Sequence, residues 1–298
     1  MKTVLFFDLQ SFFKSKKTWL ALVVVVTFGI FAGSKARFTL ADALCYNGTY
    51  QVAFITGFLS LTALFFGTLF TAQSSLKEIE HRFQLIYFAL PINRSKFLWA
   101  RFLSVFIVSF SFTLLLTGGF FIGREFLATD WKDAGFHLSY YIQPMLLFTV
   151  VNTFFVVAVT TSVAWWSQSK MMIYVSGLLL YVLYMVAMVF SGSPFMANQL
   201  PQSKAVQFWS GVFDPFGLSA FFNQTSSWSI QQKNVDYLNI FGMVSANRIG
   251  VVLISIGLLA LASKRFQLFS KVKKAKGLAI AQEIKTLPFQ FLVPQFTS

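Results

Sequence analysis

The chain has 298 residues, of which 56% are hydrophobic, 18% aromatic and only 11% charged, and Phe alone occurs 39 times. Those proportions exclude an ordinary water-soluble domain. A single Cys excludes an internal disulfide framework, two His exclude a conventional metal cluster, and the formal charge of +14 needs a membrane test before it can suggest nucleic acid.

In chain order, Leu5, Leu9, Phe12 and Phe13 recur at helical spacing, with Asp8, Gln10, Lys14 and Lys17 between or after them. This pattern predicts an amphipathic helix lying in the membrane interface, either as an anchor or as part of a docking surface. Six apolar spans follow, near 18–33, 52–72, 97–122, 141–166, 171–191 and 245–262. At about 20 residues per crossing they account for roughly 120 residues, and a helix is the element that satisfies its own backbone in lipid. No cleavable signal sequence is expected, since the first span is flanked by Lys14, Lys16 and Lys17 with no small-residue cleavage site behind it. The predicted class is therefore an all-α polytopic membrane protein, with a permease-like domain over 1–265 and a basic tail or linker over 266–298.

With the amino terminus inside, seventeen of the 24 Lys and Arg residues fall on inner segments and seven on outer ones. The positive-inside rule then places both termini in the cytoplasm, and the basic charge needs no nucleic acid. Arg248, just inside the last span, is expected to reach towards the outer interface.

Between the second and third spans, Leu76, Ile79, Phe83, Ile86 and Leu90 return at helical spacing, with Lys77, Glu78, Glu80, His81 and Arg82 on other faces and Pro91 as a stop. A short amphipathic inner helix is expected there, serving as a solvated connector or as a lever for a cytoplasmic partner. Glu80-His81 does not extend to H-E-x-x-H, so no metal site is predicted. Between the fifth and sixth spans, FWSGVFDPFGLSAFF predicts a helix, a turn at Asp214 to Gly217 and a second helix. Such a re-entrant or interfacial outer hairpin serves as a lid, or else guides an amphiphile. The spans hold almost no Asp, Glu or His, which disfavours an ion-coupled carrier. Asn152, Thr153 and Thr113 are the candidate translocation-path residues, with bonding between helices the competing role.

This order of parts resembles the type-2 ATP-binding-cassette permease family. The resemblance is carried by Glu80-His81-Arg82, by Ala89-Leu90-Pro91-Ile92-Asn93-Arg94-Ser95-Lys96 and by Ala100-Arg101-Phe102, which look like the family's coupling helix and the start of its third span. The stretch Asp214 to Phe222, with Trp228 and Asn247-Arg248, is similar to a subgroup fused to a zinc aminopeptidase-like domain. No zinc-binding motif occurs here, so peptidase activity is not carried over, and the tail leaves room for a longer fusion.

The resemblance implies a dimer of permease halves, identical or not, in a bacterial-type cytoplasmic (inner) membrane, acting as an exporter. It also implies a separate cytoplasmic ATPase that holds ATP and Mg. The chain itself has no G-x-x-x-x-G-K-[ST] and no catalytic motif. Glu78, Glu80, His81, Arg82, Phe83, Leu90, Pro91 and Arg94 are then the ATPase-coupling residues, with Glu80 or Arg82 in polar contact and Phe83 and Leu90 packed into the ATPase cleft. The competing expectation is a membrane anchor, assembly scaffold or fusion partner that moves nothing.

Overall fold

The computed structural model describes residues 2–36, 43–77, 94–127, 135–189, 203–239 and 241–266. Among these residues every regular element is a helix. Helix α1 (Lys2–Phe13) leads through a bend at Ser15 into α2 (Lys16–Lys35). The second crossing is α3 (Thr49–Leu59), a tight turn at Ser60–Thr62, and α4 (Ala63–Ser74). The third is α5 (Arg94–Leu127). The fourth begins as α6 (Leu138–Pro144), widens through a π turn at Met145–Val150 and continues as α7 (Val151–Ser167). Next come α8 (Lys170–Val189), α9 (Lys204–Phe213), α10 (Leu218–Thr225), α11 (Ile230–Val235) and α12 (Met243–Arg265).

Five helical stretches are long and apolar enough to cross a bilayer: Lys16–Lys35, Thr49–Ser74, Ser95–Leu127, Leu138–Ser167 and Met243–Arg265. A shorter apolar run, Lys170–Val186 within α8, stands where the remaining predicted span lies. The chain is thus built as a multi-pass membrane protein. Each of the five long stretches exceeds its predicted bounds because polar end residues still complete helical turns beyond the apolar run. At 1.5 Å per residue the 33 residues of Ser95–Leu127 reach about 50 Å, well past a hydrocarbon core of about 30 Å.

The bundle has two ends. At the elbow end lie α1, the start of α2, the end of α4, the start of α5 and the end of α12. At the hairpin end, α9 and α10 close over α3, α7 and the start of α12. The two interruptions have local causes. Pro144 has no N–H to continue the ladder, and the π turn follows it directly. At Ser60 the hydroxyl donates back to the Gly57 carbonyl at 2.6 Å, and the helix tightens there.

Packing is aromatic and differs between the ends. Near the elbow, the Phe12 and Phe70 rings meet edge to face at 5.8 Å, and Phe70 lies 4.8 Å from Phe112. At the hairpin end, Phe216 and Phe221 are fully buried. Phe216 packs against Tyr184 at 4.5 Å and Phe155 at 5.8 Å, while Phe221 meets Tyr50 at 5.0 Å and Phe148 at 6.2 Å. The hairpin therefore drives two rings into the bundle, and helix α10 presses its Leu218 against α3 at Gly57.

Helix α2 is held differently. Half of its residues are exposed and only Leu22, Gly29 and Gly33 are buried, and it meets α5 through two G-x-x-x-G pairs, Gly29 with Gly33 and Gly119 with Gly123. A Cβ on Gly33 would lie 1.9 Å from the Phe120 carbonyl oxygen, and one on Gly123 would lie 2.0 Å from that of Ile30. Small residues let two backbones touch where lipid offers no hydrophobic drive for helix association. Gly33→Ala and Gly123→Ala should each destabilise this seam by about 1–3 kcal/mol through overpacking. Gly118→Ala meets nothing within 4 Å and should be neutral. Denaturation of the three variants in detergent micelles, followed by a disulfide reporter between α2 and α5, checks the ranking.

Candidate functional site

Among the described residues, two buried polar clusters join elements distant in sequence, one at each end, apart from a buried Arg124 that lies 5.5 Å over the Tyr46 ring. The larger is at the hairpin end and is centred on Arg248, whose side chain is buried between α12, α7 and the hairpin turn. Its Nη1 donates to Asn152 Oδ1 at 2.7 Å, its Nε to Asn247 Oδ1 at 3.0 Å and its Nη2 to the Asp214 carbonyl at 3.1 Å, with a further very short bond from Nη2 to Asn247. A guanidinium stays charged in proteins, so inside a bundle it must be met by acceptors on several sides. The acceptors of Asn152, Asn247 and Asp214 turn the guanidinium inwards, into the bundle.

The acceptors are themselves fixed. Asn152, fully buried, donates through Nδ2 to Ser60 Oγ at 2.7 Å and to the Phe216 carbonyl at 3.2 Å. Asn247 Nδ2 reaches the carbonyls of Gly211, Val212 and Asp214 at 2.8–3.0 Å, the carbonyls that α9 leaves open at its end. The Asp214 carboxylate caps the next turn, accepting from the Phe216 and Ser219 amides at 2.8 and 2.6 Å. Gly217 is required by both backbone and space: its φ is +80°, and a Cβ there would lie 2.5 Å from Arg248 Cζ. The two irregular turns of the bundle, at Ser60 and at Met145–Val150, flank this same cluster. Tyr184, also buried, brings its hydroxyl within the field of Asp214 and Arg248, and that hydroxyl has no hydrogen-bond partner among the described residues.

The second cluster sits at the elbow end. Asp8, predicted to lie between the apolar positions of α1, is instead one of the two buried residues of that helix. Its Oδ1 accepts from Arg101 Nη1 at 2.7 Å and its Oδ2 from Ser104 Oγ at 3.4 Å, and Arg101 also approaches Ser74 Oγ at 3.5 Å. Lys77 lies 4.9 Å over the Phe12 ring and completes the group. Burial holds the Asp8 carboxyl above its usual range, against the lowering pull of Arg101 and Lys77. Burial, and then the like charge of Arg101, draw the Lys77 ammonium below its ordinary value, with Asp8 opposing. The pair thus ties α1, the end of α4 and the start of α5 into one unit.

Of the predicted translocation residues, Asn152 belongs to the hairpin-end cluster. Thr153 and Thr113 are fully buried and bond back to Thr149 and Ser109 of their own helices at 2.7 and 3.0 Å. Of the predicted coupling residues, Glu78, Glu80, His81, Arg82, Phe83, Leu90 and Pro91 lie outside the described residues, and Arg94 opens α5. The tail from 267 onwards also lies outside them. An apolar groove of about 520 Å³ runs between α3–α4 and α8, lined by Phe65, Leu69, Leu178 and Tyr181, with Thr62 and Thr68 as its polar edge. It touches none of the three translocation candidates. Among the described residues no group of His, Cys, Asp and Glu could hold a metal ion.

Asp8 with Arg101, and Asn247 with Arg248, are buried pairings that the sequence patterns did not join, although Arg101 and Asn247-Arg248 stood among the residues that carry the family resemblance. The available signal was opposite charge on two segments assigned to one membrane face, and an Asn-Arg pair heading an apolar run. Removing Arg101 leaves a buried carboxylate without its ion-pair partner, with only Ser104 and the Lys77 charge beside it, so Arg101→Met should cost about 3–5 kcal/mol, and Asp8→Leu added to it should recover most of that loss. At the other end, Asn152→Ala should cost about 3 kcal/mol or more because it orphans one arm of a buried cation, whereas Thr153→Val should cost under about 1 kcal/mol. Unfolding of the purified variants in mixed micelles, read by circular dichroism, tests both orderings. No protein-family model matches the chain, and neither does any curated protein.

Proposed function

We propose that this chain is the permease half of a type-2 ATP-binding-cassette exporter, a six-span membrane subunit worked by a separate cytoplasmic ATPase that carries ATP and Mg. The elbow end faces the cytoplasm in this reading, since seventeen of the 24 basic side chains belong to that side. The last outer segment then forms a hairpin at the opposite interface. A second permease half, identical or not, completes the path.

The observation that carries the reading is the buried Asp8–Arg101 pair at 2.7 Å. An anchor needs only apolar surface. Here the interfacial helix, the second crossing and the third crossing are joined by charge where the chain departs at Lys77 towards the proposed coupling segment and returns at Arg94. A partner pushing on residues 78–93 would act on this joined unit rather than on a loose loop, and α5 would carry the displacement along its length. The lack of a nucleotide-binding motif in the sequence agrees with an ATPase on another chain.

The test is co-purification from the native membrane in mild detergent, with wild-type chain and with the double reversal Glu80→Arg, Arg82→Glu. An ATPase of the cassette type should remain bound to the wild type. Charge reversal at a docking surface costs about 2 kcal/mol or more, so binding and stimulated ATP hydrolysis should fall roughly thirtyfold. If no ATPase is retained by the wild type under several mild conditions, the chain is an anchor or scaffold. Retention of an ATPase with unchanged coupling in the reversal variant would move the docking surface away from residues 78–93.

A further inference from the structure

Helix α9 carries two recesses on its flank that share walls. The first, about 500 Å³, lies between α9 and α12 and is lined by Phe155, Phe208, Val212, Val251 and Ile254, with Gly250 in its wall. Its size falls within the roughly 300–1,000 Å³ of small-molecule sites. The second, about 300 Å³, is lined by Lys204, Gln207, Asn223 and Gln224. Phe208 and Met243 border both, so an apolar compartment continues into a polar one whose only charged side chain is a lysine.

We infer that the two recesses together hold one anionic phospholipid of the surrounding bilayer, an acyl chain in the apolar recess and the phosphate at Lys204. Several features select this occupant. The apolar recess opens beside Phe213 and Ile254, which are 76% and 60% exposed, so its mouth faces lipid rather than water. No carboxylate lines the polar recess to compete for Lys204. Gln207 makes no side-chain hydrogen bond among the described residues, which leaves its amide donors available beside the cation. Asn223 and Gln224 each spend one amide N–H on the carbonyls of Gln207 and Asn239, so the recess offers the Lys204 ammonium, the Gln207 amide and one remaining N–H from each of the other two, a donor set that a phosphodiester with its ester linkages meets better than the two oxygens of a fatty acid's carboxylate. Helix α9 itself has the character of an interfacial helix, with Phe208 and Trp209 more than half exposed beside a lysine at its first turn. The second acyl chain remains among these rings in the bilayer.

The site rests only on the chain's place in a bilayer, and neither ATP nor an ATPase enters its test. Full-length chain is reconstituted into phosphatidylcholine nanodiscs containing a trace of phosphatidylglycerol with a photoactivatable diazirine on its acyl chain. A parallel sample carries the diazirine on phosphatidylcholine, and labelled peptides are mapped by mass spectrometry. Phosphatidylglycerol should label the α9 and α12 peptides about fivefold more strongly than phosphatidylcholine, the preference that one lysine near a membrane surface supplies.

Lys204→Glu, at an exposed position, should erase that preference while leaving phosphatidylcholine labelling intact. Gly250→Phe projects into open space, since a Cβ there meets nothing within 4 Å, and should reduce labelling of these peptides by both lipids without changing labelling elsewhere. Equal labelling by the two lipids, or labelling indifferent to both substitutions, overturns the proposal. So does crosslinking of α9 to a second copy in place of lipid, which would make the recess an interface.

Discussion

A charged guanidinium enclosed between membrane helices is the constraint on which the hairpin end depends. Apolar packing has no direction and would allow Phe216 and Phe221 to settle in more than one register. Arg248 removes that freedom, because its donors must meet acceptors at bonding distance or the burial becomes prohibitive. The acceptors come from three separate places: Asn152 on α7, Asn247 beside it on α12, and the backbone of the hairpin turn at Asp214. Satisfying one side chain therefore sets the depth of α7 against α12 and the seating of the hairpin on both. Gly217 follows from the same demand, since any side chain there would occupy the space of the guanidinium.

The elbow end solves a related problem with an ion pair, and the difference has mechanical meaning. Asp8 and Arg101 neutralise one another across two elements that are far apart in sequence, so α1 cannot lift away without exposing both charges to an apolar surrounding. Between the two ends the crossings are regular, and α4 and α7 share a hydroxyl contact from Thr71 to Thr160 at 3.0 Å. Among the described residues, the two interruptions within crossings, at Ser60–Thr62 and Met145–Val150, lie towards the hairpin end. A bundle whose charge-locked, regular half meets an interrupted half is suited to rigid displacement at one end and adjustment at the other, the division of labour that the proposed permease would need.

Five of the six predicted crossings were legible in the sequence because lipid leaves few options: a long apolar run must be helical, and its ends are marked by Lys, Arg and Pro. The helix-turn-helix around Asp214-Pro215-Phe216-Gly217 was legible for a local reason, as Gly217 and Asp214 are turn and capping residues whatever surrounds them. Asp8 and Arg248 were not. A charge in an apolar pattern reads as a boundary unless its partner is known, and the partners lie 93 and 96 positions away. Asn152 was visible as an isolated amide within a span, yet nothing local says whether such an amide faces a path or a cation. The paired G-x-x-x-G motifs of α2 and α5 are present in the sequence, but their meaning as a seam appears only once the two helices are opposed. Long-range polar pairing, rather than element type, is what the linear pattern withheld.

The lipid recess and the Arg248 cluster are physically continuous, and this bears on how the hairpin is controlled. Asn247 lines the apolar recess on one side, while its amide holds the carbonyls of Gly211, Val212 and Asp214 on the other. The end of α9 is thus gripped by the same residue that an acyl chain would touch. A lipid seated between α9 and α12 gains its contacts only while α9 keeps this position, so its affinity differs between seated and lifted hairpins. Linkage then makes the effect mutual: whatever lifts the hairpin must weaken lipid binding, and lipid binding must hold the hairpin down by the same factor. In a bilayer the anionic fraction of the facing leaflet would become a setting on the stability of the seated hairpin. The guanidinium supplies the specificity of that state, and the lipid would supply an adjustable share of its stability.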